Sequence, residues 1–232
     1  MMVLRAALMV LALTSPVAAQ EITAARFTEP TERYSHGILG DAIEYGALEM
    51  DVTGRGTVTV RLPRNHVFED VAPRLWDVTG DGLPEVVVVE TDVALGGALA
   101  VYGAAGKIAE TPHIGRTNRW LAPIGAADLD GDGAIEIAYI DRPHLAKVLK
   151  VWRFKGKTLQ HVADASGFTN HRIGERDIAG GIRGCAGAPE MVVATADWTR
   201  VVAVRFGSAT FEVRDIGPHQ GRDSFAKALR CQ

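Results

Sequence analysis

The stretch Asp128-Leu129-Asp130-Gly131-Asp132-Gly133-Ala134-Ile135-Glu136 decides how the rest of the chain is read. Carboxylates stand at its positions one, three, five and nine, and glycines at four and six, where the backbone must turn sharply. Acidic groups this close repel one another unless a cation neutralises them. Hard oxygen donors on a flexible loop suit calcium. The expected ligands are side-chain oxygens of Asp128, Asp130, Asp132 and Glu136, with the carbonyl of Ala134. A weaker copy, Asp77-Val78-Thr79-Gly80-Asp81-Gly82-Leu83-Pro84-Glu85, lies 51 residues upstream (77 against 128). There Asp77, Thr79, Asp81 and Glu85 would serve, with the carbonyl of Leu83. Thr79 removes one charge, so two calcium ions are expected, the weaker of them in this second loop.

An EF-hand needs a bidentate Glu at position twelve and a helix on each side. Position twelve is Tyr139 in one loop and Val88 in the other, and the flanks of both are strand-like. The ligand set therefore closes at position nine, inside a β-hairpin. Ordinary Asp-Gly turns need no metal, but two nine-residue copies are more than a lone Asp-Gly turn.

Working outward, the order of apolar runs repeats. Arg74 to Val78 leads into the first loop, Glu85 to Glu90 follows it, and Ala98 to Tyr102 and Lys107 to Thr111 complete a unit. The next unit runs Ile124 to Leu129, loop, Ile135 to Ile140, Val148 to Phe154 and Leu159 to Ala163. A later unit keeps Glu190 to Ala194, Val201 to Phe206 and Phe211 to Ile216 but has lost the loop. Its Asp177 reads as position one, with Ala179 and Gly181 at positions three and five. Thr117-Asn118-Arg119-Trp120 is echoed in Thr169-Asn170-His171-Arg172, 52 residues on (117 against 169), and an Asp is read at the end of the strand after the loop each time: Asp92, Asp141 and Asp197. Independent markers agreeing on one period indicate a repeat protein. Upstream, Gly40-Asp41-Ala42-Ile43-Glu44 reads as a collapsed loop. Asp51-Val52-Thr53-Gly54-Arg55-Gly56 reads as a hairpin turn, because Arg55 would repel a cation.

Four strands in roughly fifty residues is the arithmetic of a propeller blade. The expected fold is all-β: a β-propeller of about four four-stranded blades in a small or incomplete ring. The units fall at about 32–70, 71–116, 117–168 and 169–217, with a tail at 218–232, in a single domain over 20–232.

The segments Asp-Val-Thr-Gly-Asp-Gly-Leu-Pro-Glu-Val from Asp77 and Asp-Leu-Asp-Gly-Asp-Gly-Ala-Ile-Glu-Ile from Asp128 resemble FG-GAP/VCBS repeats. Such repeats form the blades of integrin alpha-chain propellers and of many bacterial exported proteins. The resemblance spans about Glu32 to Gly217, and is specific in the two loops. It implies a propeller with calcium in the hairpin between the first two strands of a blade. Integrin propellers have seven blades, against four units here. The family includes binding modules and some enzymes, so it speaks to fold more than to function.

Residues 1–19 read as a secretory signal: Arg5 as the basic region, Ala6 to Leu13 as the apolar core, and Val17-Ala18-Ala19 as the cleavage site. The expected location is periplasmic or extracellular. No segment has membrane-spanning length. The formal net charge is −3, or −4 once Arg5 is removed, which argues against nucleic acid. Cys185 and Cys231 are an even count in an oxidising compartment, suggesting one disulfide, although spacing alone leaves two free thiols open.

The candidate ligand rim is Asn118, Arg119 and Trp120 with Asn170, His171 and Arg172, because repeats set equivalent positions on one edge. Tyr34, His36, Arg74, Trp76, His144 and His219 occupy nearby or turn positions. Aromatic and Arg groups suit sugar, anion or protein partners. The alternative is blade-to-blade packing with Asn and Arg bonding backbone carbonyls, which these residue types favour. The chain holds no Gly-x-Ser-x-Gly, phosphate loop or His-Glu-x-x-His motif. The leading expectation is a non-enzymatic, calcium-binding module for a protein or glycan ligand, or a structural subunit whose loops hold the blades together. The alternative is a polysaccharide lyase or hydrolase, with His171 and Arg172 as the adjacent base and neutralising cation.

Overall fold

The computed structural model describes residues 20–185, 187–207 and 209–232, so the leader read at 1–19 lies outside the described residues. Its regular structure is antiparallel sheet apart from one short helix. β1 (Ile22–Thr31), β2 (Glu44–Val52) and β3 (Gly56–Arg61) pair with β2 in the middle. The Asp51–Gly56 stretch is the turn of the β2–β3 hairpin, with Gly54 and Gly56 at φ 72° and 78°. Arg55 at its tip donates to the Ala104 carbonyl at 2.8 Å.

β4 (His66–Phe68) pairs with β2 through Phe68 opposite Tyr45, and also with β6. It thereby fuses the first group to β5 (Arg74–Trp76), β6 (Glu85–Asp92), β7 (Gly96–Gly103) and β8 (Gly106–Glu110) in one eight-stranded sheet. A four-stranded sheet follows: β9 (Leu121–Ala127), β10 (Glu136–Asp141), β11 (Val148–Lys155) and β12 (Thr158–Ser166). The last sheet has five strands: β13 (Phe168–Thr169), β14 (Gly181–Arg183), β15 (Glu190–Thr195), β16 (Arg200–Gly207) and β17 (Thr210–Pro218). None closes on itself, and this all-β arrangement is what a propeller-like fold requires.

The cores lie between the units, and strand alternation explains them. On β6, Val87 and Val89 face one core, shared with Leu121, Ile137 and Tyr139 of the next sheet. Val86 and Val88 face the opposite core, shared with Leu48, Met50 and Phe68. A run of four valines is needed because both faces are covered. β15 repeats the device: Met191 and Val193 pack towards Ile140 and Leu149. Val192 and Ala194 face the other way, against Phe225 and Ala228. Those two belong to α1 (Arg222–Leu229), a helix in the tail that strand periodicity gave no reason to expect. It covers the face of the last sheet on which a further unit would otherwise pack, as terminal caps do in repeat proteins.

Polar and covalent links hold this cap. Arg183 on β14 donates to the Ala228 carbonyl at 2.7 Å. Cys185 and Cys231 form a disulfide with Cα atoms 5.6 Å apart, so the even cysteine count read correctly. Asp177 lies before β14, whereas in the other units the nine-residue loop follows the equivalent strand, so its counterpart here falls between β14 and β15. Asp177 is therefore not a remnant of position one, contrary to the sequence register; it pairs with Arg222 at the start of the cap. Replacing both cysteines by Ala is expected to cost about 2–4 kcal/mol. The accompanying Phe225→Ala change should then cost less than it does in the disulfide-bonded chain, because the helix is already loosened. Chemical denaturation of the single, double and combined variants measures both.

Candidate functional site

The two nine-residue loops share one backbone conformation. Gly80 and Gly82 have φ 76° and 85°, and Gly131 and Gly133 have φ 79° and 88°, a left-handed region that glycine enters without strain. Asp128 accepts the Gly131 and Gly133 N–H groups at 2.8 and 3.0 Å. Asp77 accepts those of Gly80 and Gly82 at 2.7 and 2.9 Å. The position-five carboxylates do the same for position seven: Asp132 accepts from Ala134, and Asp81 from Leu83, each at 2.9 Å. Glu136 accepts the Leu129 N–H at 2.9 Å, and Glu85 that of Val78 at 2.8 Å. Oxygens of Asp128, Asp130 and Glu136 lie within 4.8 Å of one another. In the other loop the Thr79 hydroxyl instead donates to Glu85 at 3.2 Å. Both donor sets are all oxygen, which fits calcium chemistry.

Each unit begins its second strand with a buried glutamate: Glu44, Glu85, Glu136 and Glu190. Their counter-charges differ. Arg153 on β11 stands opposite Glu136 in the strand register. Its guanidinium contacts Glu136 at 2.5 Å, Asp130 at 2.7 Å and Asp132 at 2.8 Å. The matching position opposite Glu85 is Gly103, which brings no charge. Four carboxylates and one guanidinium leave the Asp128 loop at −3, and three carboxylates give the Asp77 loop −3 as well. The advantage that the sequence gave the Asp128 loop is thus offset by a residue outside it. Burial pushes the Glu136 carboxyl up despite the Leu129 N–H and Arg153, and it pushes Glu85 up against bonds from Val78 and Thr79.

The last unit gathers arginines around its buried glutamate. Burial alone would push Glu190 up, but Arg214 and Arg183 bring it below the usual carboxylate range. Arg183 and Arg214 each lie 2.9 Å from it, and Arg205, the counterpart of Arg153, lies at 3.3 Å. Glu44 has no such partner. Burial, then the carboxylates of Glu69, Asp41 and Asp70, push it up to about 9.

The candidate rim divides in two. Trp120, Asn170 and His171 are buried. Trp120 Nε1 donates to the Glu69 carbonyl at 2.8 Å, and Asn170 Nδ2 to that of Ala122 at 3.2 Å. His171 Nε2 donates to the Glu175 carbonyl at 2.9 Å, which leaves Nδ1 to accept from His144 Nε2 at 3.0 Å. With both ring nitrogens engaged, His171 has no free nitrogen with which to take a substrate proton. Arg172 is exposed, its guanidinium 4.4 Å from the Trp198 ring. Asn118 and Arg119 remain accessible. Asn118 donates its backbone N–H to the Tyr34 hydroxyl at 2.8 Å. His36 pairs Nδ1 with the fully buried Glu69 at 2.5 Å. That pair, like Arg153, escaped sequence reading. Only the match of Arg153-Phe154 to Arg205-Phe206 between repeated runs pointed to a recurrent arginine.

An FG-GAP-like repeat model matches residues 77–139, from the head of the first loop into the strand after the second. The chain thus carries FG-GAP-like repeats over this span, which points to a propeller-like interaction or structural module. No curated protein matches the chain.

A carboxyl raised in the fold stays protonated while the unfolded chain ionises, so stability falls as pH rises. For Glu44 the fall runs from its ordinary value of 4.5 towards 9. Glu44→Gln is therefore expected to be more stable than the native chain at pH 7 to 8 by an amount on the order of 2 kcal/mol. The advantage should vanish below the ordinary carboxylate range. Urea titrations at acidic and neutral pH check this; parallel profiles for both chains would refute it.

Proposed function

We propose that this chain is an exported, calcium-stabilised propeller module, of about four blades, that binds a protein or glycan or holds an assembly together without catalysis. The observation that carries the reading is the identical backbone of two all-oxygen loops, both inside the segment matched by the FG-GAP-like repeat. Asp128, Asp130, Asp132, Glu136 and the Ala134 carbonyl would hold one ion. Asp77, Thr79, Asp81, Glu85 and the Leu83 carbonyl would hold the other. Calcium there would neutralise carboxylates that the turn forces together. The disulfide supports an oxidising location, periplasmic or extracellular. Among the described residues, no helix is long and apolar enough to cross a membrane.

Because Arg153 brings both loops to the same net charge, calcium titration calorimetry is expected to find two sites of similar affinity. Asp81→Asn and Asp132→Asn should each weaken one of them. Arg153→Gln should lower stability without calcium and raise affinity at the Asp128 loop, since it removes a competing cation. Chelation should lower the melting temperature of the native chain. An unchanged melting temperature would overturn the calcium reading, and an unaltered titration in Arg153→Gln would overturn the role given to that arginine.

A further inference from the structure

A cavity of about 330 Å³ opens beside the rim, lined by residues of the first, third and last units, within the size range of small-molecule sites. Its inner wall is apolar: Trp120 is 2% exposed and Ile38 6%. Its outer lining carries Leu145 and Ile173, which are 64% and 69% exposed although large and apolar. Such side chains are left in water at a cost unless something covers them.

The polar lining is one-sided in charge. It includes two guanidiniums, Arg119 and Arg142, and two imidazoles, His36 and His144, and no carboxylate among the described residues. Arg142 is committed, through Nε and one amino group, to Asp141 at 3.0 and 2.8 Å. Arg119 spends one amino group on the Asn118 carbonyl at 2.7 Å and has no carboxylate partner among the described residues. His36 spends Nδ1 on Glu69 and keeps Nε2 free. Burial, and then the neighbouring His171, hold the His144 imidazole down to about 4, so at neutral pH it offers a polar group and no charge.

The backbone around the cavity is held in an uncommon conformation. Asn118 and Arg142 both line it, and both are non-glycine residues at positive φ, 54° and 47°. Arg142 is fixed there by donating its N–H to the Trp120 carbonyl at 3.0 Å and by accepting the Leu145 and Lys147 N–H groups at 2.8 and 3.1 Å. Left-handed conformations of this kind cost energy and cluster at ligand sites.

We infer that this cavity is a binding site for a small organic acid with an apolar body: the body against Trp120, Ile38, Leu145 and Ile173, and the carboxylate on Arg119. A guanidinium without a carboxylate of its own is the natural partner for a planar anion. This goes beyond the calcium-module reading and is tested apart from it, because every titration is run at saturating calcium with the melting temperature recorded.

The probes are 3-phenylpropionate and its primary amide, which share size and apolarity but not charge. Calorimetry on the full chain is expected to show the acid binding and the amide binding at least about tenfold more weakly, the worth of one charge-assisted bond. Arg119→Ala should bring the acid down to the level of the amide. Ile173→Ser should weaken both. Both residues are at the surface, so the fold is expected to survive, and an unchanged melting temperature verifies it. Equal binding of acid and amide, acid binding indifferent to Arg119→Ala, or no heat from the acid at millimolar concentration would each overturn the assignment.

Discussion

A carboxylate buried at the head of a strand must find a positive charge, a set of N–H donors or a proton. Much of this chain answers that requirement. Four units each place a glutamate there, and each answers differently. Glu85 takes backbone N–H groups and a threonine hydroxyl. Glu136 shares Arg153 with its loop. Glu190 collects three arginines. Glu44 is driven towards its protonated form by burial. The arginines around Glu136 and Glu190, and the N–H groups turned towards Glu85, are local answers to one buried group repeated along the chain.

The repeat also governs packing. Strands with both faces covered need apolar residues at every position, and β6 and β15 supply them by turning alternate side chains to opposite cores. Such a stack must end somewhere. At the C-terminal end α1 covers the outer face of β15 and β16, and the disulfide and Arg183 fasten it where the last loop has lost its acidic residues. The covalent link lies in the unit whose loop lacks the carboxylates of its neighbours.

The first strands of the second and last units are broken, at 69–73 and 170–180, and these breaks bring side chains from distant parts of the chain together. His36 meets Glu69, Trp120 reaches the Glu69 carbonyl, and His144 meets His171. Residues of similar type serve opposite purposes there. Trp120 and His171 are internal struts, whereas Arg119 and the exposed Leu145 and Ile173 face outward around a cavity.

The sequence by itself determined the repeat of apolar runs from Arg74 onward, the position of both loops and the availability of two cysteines for one bridge. Each of these is written in local chemistry: glycine at turns, alternation or continuity of apolar residues, and carboxylates at fixed short spacing. Only the tertiary structure decided what neutralises those carboxylates. Arg153 is seventeen residues from Glu136 and reaches it through strand pairing. Register also moved the last loop to 184–189 and removed Asp177 from it, because strand pairing, not motif spacing, fixes where a hairpin turns. The capping helix and the cavity were likewise illegible, since they depend on which surface the stack leaves uncovered. Charge spacing along a chain is local, but charge balance in a folded protein is settled by whatever the fold brings alongside.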